Sequence, residues 1–179
     1  MKKFELTSEV KVLFFGKKLF RIRALIDFGI VKAGELGGWI EKESNLSQDG
    51  NAWVSGNAWV SGNARVSGNA WVSGNARVSG NAWVSGNAWV SGDAWVSGNA
   101  WVSGNADYTT IKGFGSCYRT TTFFKCKDGA IRVQCGCFYG TIPEFRKKVR
   151  ETHGETKLAK EYLTIADLMG YHFSTEEVK

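Results

Sequence analysis

Residues 51–74 read NAWVSGNAWVSGNARVSGNAWVSG, one six-residue phrase that runs on to position 104 with its third residue as the main variable. A fixed period of this kind outranks every other pattern in a sequence. Within a copy, Ala-Trp-Val alternates small, large and aliphatic, so an extended triplet sends Ala58 and Val60 to one side and Trp59 to the other. Ser61, Gly62 and Asn63 then form a corner, because glycine and asparagine tolerate positive φ. Three corners close a triangle. A helix is excluded, since Val at every sixth position fits neither 3.6 nor 3.5 residues per turn. A Gly-Asn pair in each copy would also cost a helix more than about 1 kcal/mol. Triplets are too short to pair as a conventional antiparallel meander.

Working outward, Gly38-Trp39-Ile40 and Ser44-Asn45-Leu46 fit the same inward-outward-inward triplet, with an insertion at Gln48-Asp49 before the array settles at Ala52. Ala106-Asp107-Tyr108 fits at the far end. The phrase resembles the hexapeptide repeat of left-handed parallel β-helices, with Val at the inward aliphatic position and Ala two residues before it. The handedness is implied by that resemblance alone. Ser after the aliphatic residue departs from the usual Gly, Ala, Glu or Asp.

The expected fold is mainly β. Residues 38–108 form a left-handed parallel β-helix of about four triangular coils, 1–37 an N-terminal β cap, and 109–179 a small C-terminal α+β module. In the cap, two apolar runs flank Gly16-Lys17-Lys18 and predict a hairpin closing the lower end. In the module, Asp128-Gly129 predicts a second hairpin. Thr141-Ile142-Pro143-Glu144 has capping-box spacing and predicts a helix from Pro143 to His153, stopping at Gly154. A second helix is predicted over TKLAKEYLTIADLM, ending at Gly170.

Residues eighteen apart fall on one side of the triangle, so the outward positions sort into three ladders. The first holds Trp39, Trp59, Arg77 and Trp95; the second Asn45, Arg65, Trp83 and Trp101; the third Trp53, Trp71, Trp89 and Asp107. Each Trp carries about 150–250 Å², and seven of them in the regular array exceed the apolar patch a monomer usually exposes. Three explanations stay open from the residues. One is self-association, a trimer by resemblance, with Trp53, Trp71 and Trp89 as the seam. Another is binding of an anionic small molecule on the mixed sides, through Trp59, Arg77 and Trp95 or Arg65, Trp83 and Trp101, where indoles stack on planar groups and guanidinia hold phosphate. The last is recent duplication of the coding sequence.

The hexapeptide resemblance implies acyltransferases, which need a base of near-neutral pKa beside the coils. The two histidines, His153 and His172, lie beyond the repeat, so no catalytic residue is assigned and acyl transfer is the alternative reading. Cys117, Cys126, Cys135 and Cys137 lack the paired C-x2-C spacing of a zinc knuckle. Reduced thiols are expected, with Cys135 and Cys137 on one face of a strand, and no metal or cofactor is expected.

The chain has 23 Lys/Arg against 17 Asp/Glu, a formal charge of +6. It is spread as nine against seven before residue 51, two against one over 51–106 and twelve against nine thereafter. Such a spread reads as solvated surface and points only weakly to nucleic acid. The basic groups Lys17, Lys18, Arg21, Arg23 and Arg146, Lys147, Lys148, Arg150 read the same way. No apolar run is long enough to span a membrane and no signal peptide is read, so a cytoplasmic protein is expected. The order of hairpin, LGGWIE, coils and CGCFYGTIPEF tail is similar to a group of mostly uncharacterised proteins in bacterial and phage genomes. That resemblance implies a non-catalytic binder of a nucleotide-like host signal or of a host defence protein.

Overall fold

The computed structural model describes residues 1–174. Two strands, β1 (Phe4–Val12) and β2 (Lys18–Ala24), form an antiparallel hairpin, and β3 (Leu36–Ile40) follows antiparallel to β2. Nine two-residue rungs come next, β4–β12: Trp53–Val54, Trp59–Val60, Arg65–Val66, Trp71–Val72, Arg77–Val78, Trp83–Val84, Trp89–Val90, Trp95–Val96 and Trp101–Val102. Strands β13 (Tyr108–Phe114), β14 (Arg119–Lys125), β15 (Ile131–Cys135) and β16 (Phe138–Thr141) make an antiparallel sheet, followed by α1 (Ile142–His153) and α2 (Lys157–His172).

The rungs stack as a triangular solenoid of about four turns. Side one runs β3-β5-β8-β11, side two β6-β9-β12 and side three β4-β7-β10, all parallel and in the expected register of eighteen. Coil-to-coil hydrogen bonds recur at each rung, as in Trp59 N–H to Ala76 C=O at 3.0 Å and Ser61 N–H to Val78 C=O at 2.9 Å. Every Ala and Val from Ala52 to Val102 is buried, forming one continuous narrow core. Apolar burial along this column is what holds the short rungs together, since two residues per strand cannot persist alone.

The corners depart from expectation in one respect. Among the described residues the left-handed corner φ is taken by glycine alone, and Tyr118 is the one non-glycine at positive φ. Gly80 shows why the side chain is missing there: its φ is +69°, and a Cβ would lie 2.8 Å from the Gly98 nitrogen one coil up. The asparagines instead form side-chain ladders, Asn51 to Asn69 to Asn87 and Asn63 to Asn81 to Asn99, each amide donating to the oxygen above.

Both ends of the array differ from the simple triplet count. Asn45, expected to point outward, is buried in a 3-10 turn and donates to the carbonyls of Gly62 (3.1 Å) and Ala64 (2.7 Å). Asp107 tops no ladder: it ends a 3-10 turn and accepts from Ser103 N–H (2.9 Å) and Gly104 N–H (2.9 Å). An open coil end exposes backbone groups that must find other partners, and the flanks supply them.

The N-terminal hairpin extends the sheet of side one, so the order there is β1-β2-β3-β5-β8-β11, while Phe4 and Ile22 enter the coil core from below. Gln48, from the insertion, accepts from Lys3 N–H at 2.8 Å and donates to Phe4 C=O at 3.3 Å, pairing the first strand to the coil base. The Lys3 ammonium is buried and donates to the carbonyls of Gly50 (3.2 Å) and Ala52 (2.9 Å). Burial, opposed by Asp49, lowers it to about 8.

At the upper end β14 lies across the last coil. Thr122 Oγ1 accepts from Trp95 N–H (3.0 Å), Ser97 Oγ donates to Gln134 Oε1 (3.0 Å), and Lys127 N–H bonds Asn99 C=O (3.1 Å). The C-terminal sheet has four strands where one hairpin was expected. Its second core, with Phe123, Val133, Phe145, Val149, Ile165 and Met169, packs under α1 and α2. Helix α1 starts at the Thr141–Glu144 capping box and stops at Gly154, as read from the sequence. Helix α2 runs through Gly170 to His172, where Phe173 N–H caps Met169 C=O at 3.1 Å.

Candidate functional site

Side one stacks Trp39, Trp59, Arg77 and Trp95 on successive rungs. The Arg77 guanidinium lies 5.9 Å from the Trp59 ring centre and 5.6 Å from that of Trp95. On the lowest rung, Lys11 (5.8 Å) and Arg21 (5.7 Å) of the N-terminal hairpin lie over Trp39. Cation–π stacking uses the faces of a guanidinium and leaves its in-plane N–H donors free for an anion. Trp59, Arg77 and Trp95 are thus brought together as the ladder required.

Arg65, Trp83 and Trp101 lie on side two. Trp83 and Trp101 stack at 5.8 Å and 11°, in a hollow of about 520 Å³ that Lys127 and Asp128 also line; Arg65 is exposed on the rung below Trp83. The two trios lie on different sides and do not form one surface.

Side three corrects the proposed seam. Trp53 is 0% exposed, with the Phe28 ring edge-on at 5.3 Å, so it is part of the core and not of an outer face. Trp71 is half-buried and Trp89 is 57% exposed.

A role for the serine of four copies emerges only in three dimensions. In these the Nε1–H of a Trp donates to the Ser sixteen residues earlier, one coil below: Trp71 to Ser55 (3.0 Å), Trp83 to Ser67 (2.9 Å), Trp89 to Ser73 (3.0 Å) and Trp95 to Ser79 (3.4 Å). For Trp53 that position is Gly37, which has no hydroxyl, and the buried Trp53 Nε1 has no partner.

Where side one meets the C-terminal sheet there is a cavity of about 650 Å³, lined by Arg77, Trp95, Lys112, Arg119, Gln134 and Asp93 among others. Lys112 and Arg119 come from β13 and β14, and only tertiary folding brings them to the ladder. Asp93 stands where the other corners from 51 to 105 have Asn. Its carboxylate accepts from Lys112 Nζ at 2.6 Å and from Asn75 Nδ2 at 3.1 Å, and the Lys112 bond first, then that of Asn75, holds it below the usual aspartate range. Three cations against one carboxylate leave the lining at +2, and with Lys112 paired to Asp93 the excess resides on Arg77 and Arg119. Tyr118, at φ +49° and 71% exposed, stands in the same wall. A bulky residue in that conformation is strained, a condition that concentrates at functional sites.

Other sequence candidates lie elsewhere. Neither His153 nor His172 lines this cavity; His153 stacks on Tyr162 at 5.8 Å and His172 meets Phe173 at 4.7 Å. Cys117 and Cys137 are exposed in its wall, whereas burial pushes the Cys126 thiol up. Cys135 ends β15 and Cys137 sits in the following turn, so the two do not share one strand face as expected. Among the described residues no group of His, Cys, Asp and Glu is arranged to hold a metal ion. Five of the eight residues in the two basic groups are ion-paired: Lys17 to Glu41, Arg21 to Glu9, Arg23 to Glu5, Arg146 to Asp167 and Lys147 to Glu151. No helix among the described residues is long and apolar enough to cross a membrane.

Residues 58–74, 70–86, 76–92 and 82–98 match the YdcK Beta solenoid repeat. The chain is 39% identical over 61 residues to a protein of Escherichia coli (strain K12) named "Uncharacterized acetyltransferase YdcK". That similarity covers 30% of this chain and 19% of the relative, so the chain spans about a fifth of the protein it matches. The matched repeats and the stacked parallel rungs together show that the chain is a β-helix repeat protein.

Proposed function

We propose that the protein binds, without turning it over, a small anionic ligand bearing a planar group, nucleotide-like in its chemistry, in the cavity between side one and the C-terminal sheet. The observation that carries this reading is the joint lining of that cavity by the Trp95 indole and the guanidinia of Arg77 and Arg119. The indole supplies a stacking face and the guanidinia supply fork-shaped donors for phosphate. Its volume of about 650 Å³ suits a drug-sized ligand. Carried by a phage, such a site would withdraw a nucleotide-like signal from the host or grip a defence protein displaying one. Association of copies through side three would rest on Trp71 and Trp89, because Trp53 is enclosed within its own protomer.

Acyl transfer is the second reading, favoured by the name of the Escherichia coli relative. Native mass spectrometry of freshly purified protein tests the binding reading and reports subunit number in the same spectrum, and an acetyl-coenzyme A turnover assay tests the second. The binding reading expects a co-purifying or added nucleotide whose mass shift is lost in Arg77→Ala and Arg119→Ala, with assembly unchanged. Turnover of acetyl-coenzyme A that depends on His153 or His172 would favour acyl transfer instead.

A further inference from the structure

We infer that the ligand has two planar rings joined through a phosphate group, a dinucleotide in chemical class; the inference rests on the reading of side one as an anionic-ligand site. A second cavity, of about 370 Å³, adjoins the first and is lined by Lys11, Asn57, Trp59, Asn75, Arg77 and Asp93. Asn75, Arg77 and Asp93 line both, so the two spaces meet at the Arg77 rung.

Each space has one indole of its own, Trp95 in the larger and Trp59 in the smaller. Each also has a separate outer cation, Arg119 and Lys11 respectively. The two indoles are two rungs apart, about 10 Å at the ordinary strand spacing, and Arg77 fills the space between them, with its guanidinium stacked on both. One planar ring cannot reach both indoles. A ligand that uses the whole groove therefore presents a ring to each indole and an anionic linker to the shared guanidinium, whose edges the stacking leaves free. With Lys112 and Asn75 both bonding the Asp93 carboxylate, the free charge at the junction is the Arg77 guanidinium, whose in-plane donors match the two unesterified oxygens of a phosphodiester.

Isothermal titration of the full chain with adenosine monophosphate and with the linear dinucleoside monophosphate ApA separates the possibilities. The expected result is ApA binding at least about ten-fold tighter than the mononucleotide, a difference of about 1.4 kcal/mol, despite its smaller charge. Trp59→Ala should bring ApA down to the mononucleotide level while weakening the mononucleotide by no more than about two-fold, and Trp59→Phe, which keeps a stacking face, should retain most of the ApA advantage. Equal affinity for both compounds in the wild type, or equal weakening of both by Trp59→Ala, overturns the two-ring inference while keeping the anionic site. Absence of binding by either compound at about 1 mM overturns the anionic-site reading itself.

Discussion

Replacing Trp53 by alanine asks whether the lowest rung of side three is core or surface. Its side chain is 0% exposed, Phe28 meets it edge-on at 5.3 Å, and Gly37 makes room for it, since a Cβ there would lie 2.6 Å from Trp53 Cζ2. Burying about 150–250 Å² of indole at about 25 cal/mol per Å² is worth about 4–6 kcal/mol, and core Trp→Ala changes cost about 3–5 kcal/mol. Trp89, on the same side, is 57% exposed, and less than half of that area is at stake. Its removal should cost about 1.6–2.7 kcal/mol on the same scale. At about 2–4 °C per kcal/mol for a chain of this size, Trp53→Ala should lower the thermal midpoint by about 6–20 °C and Trp89→Ala by about 3–11 °C, roughly half as much at the same slope. Circular dichroism melts of the two variants, with urea midpoints to check that the slope is unchanged, give the comparison. Trp53→Phe should cost less than Trp53→Ala, since it keeps an aromatic body and deletes the unpartnered Nε1–H. Equal destabilisation by Trp53→Ala and Trp89→Ala would refute the reasoning.

Three other outcomes follow from the coil geometry and its ends. Ser73→Ala removes the acceptor of Trp89 Nε1–H; it should cost about 0.5–1.5 kcal/mol and shift that indole's proton resonance, and an unmoved resonance contradicts the bond. Gly80→Ala and Gly16→Ala both place alanine at positive φ, but only Gly80 has backbone within contact, at 2.8 Å. Chemical denaturation should show Gly16→Ala near the left-handed cost of about 1–2 kcal/mol and Gly80→Ala well beyond it. The Lys3 ammonium, lowered by burial from 10.5 to about 8, loses its proton in the folded chain before the unfolded chain does. The unfolded state binds more protons between those values, so stability should rise with pH from about 8 to 10.5. Lys3→Met should remove that slope from the urea midpoints, and parallel curves for the two proteins would contradict it.

The period, the inward Ala and Val, and the eighteen-residue register are legible in the sequence because each depends only on neighbours within a copy or one turn away. The boundaries of α1 are legible for the same local reason, through Thr141, Glu144 and Gly154. The burial of Trp53 is not, because Phe28 reaches it from a segment with no repeat to fix its register. Ser in the repeat reads as a mild departure until the coil closes; only then does the position sixteen residues before a Trp lie under its nitrogen. Asn was read for its backbone tolerance, whereas its ladders arise from amides stacked between coils. Two residues of the candidate site, Arg77 and Trp95, follow from the outward ladder. Lys112, Arg119 and Gln134 arrive on strands whose docking over the last coil no local pattern specifies. Asp93 is the one visible clue, a single acid in a line of corner amides, and it marks the coil that Lys112 of β13 reaches.

The most direct test is a two-dimensional nitrogen–proton spectrum of the tryptophan indoles, recorded as ApA is titrated into the protein. The reading of side one expects Trp59 and Trp95 Nε1–H resonances to move together and saturate, while Trp71, Trp83, Trp89 and Trp101 stay in place. Movement confined to Trp83 and Trp101, or saturable movement of none, would contradict it.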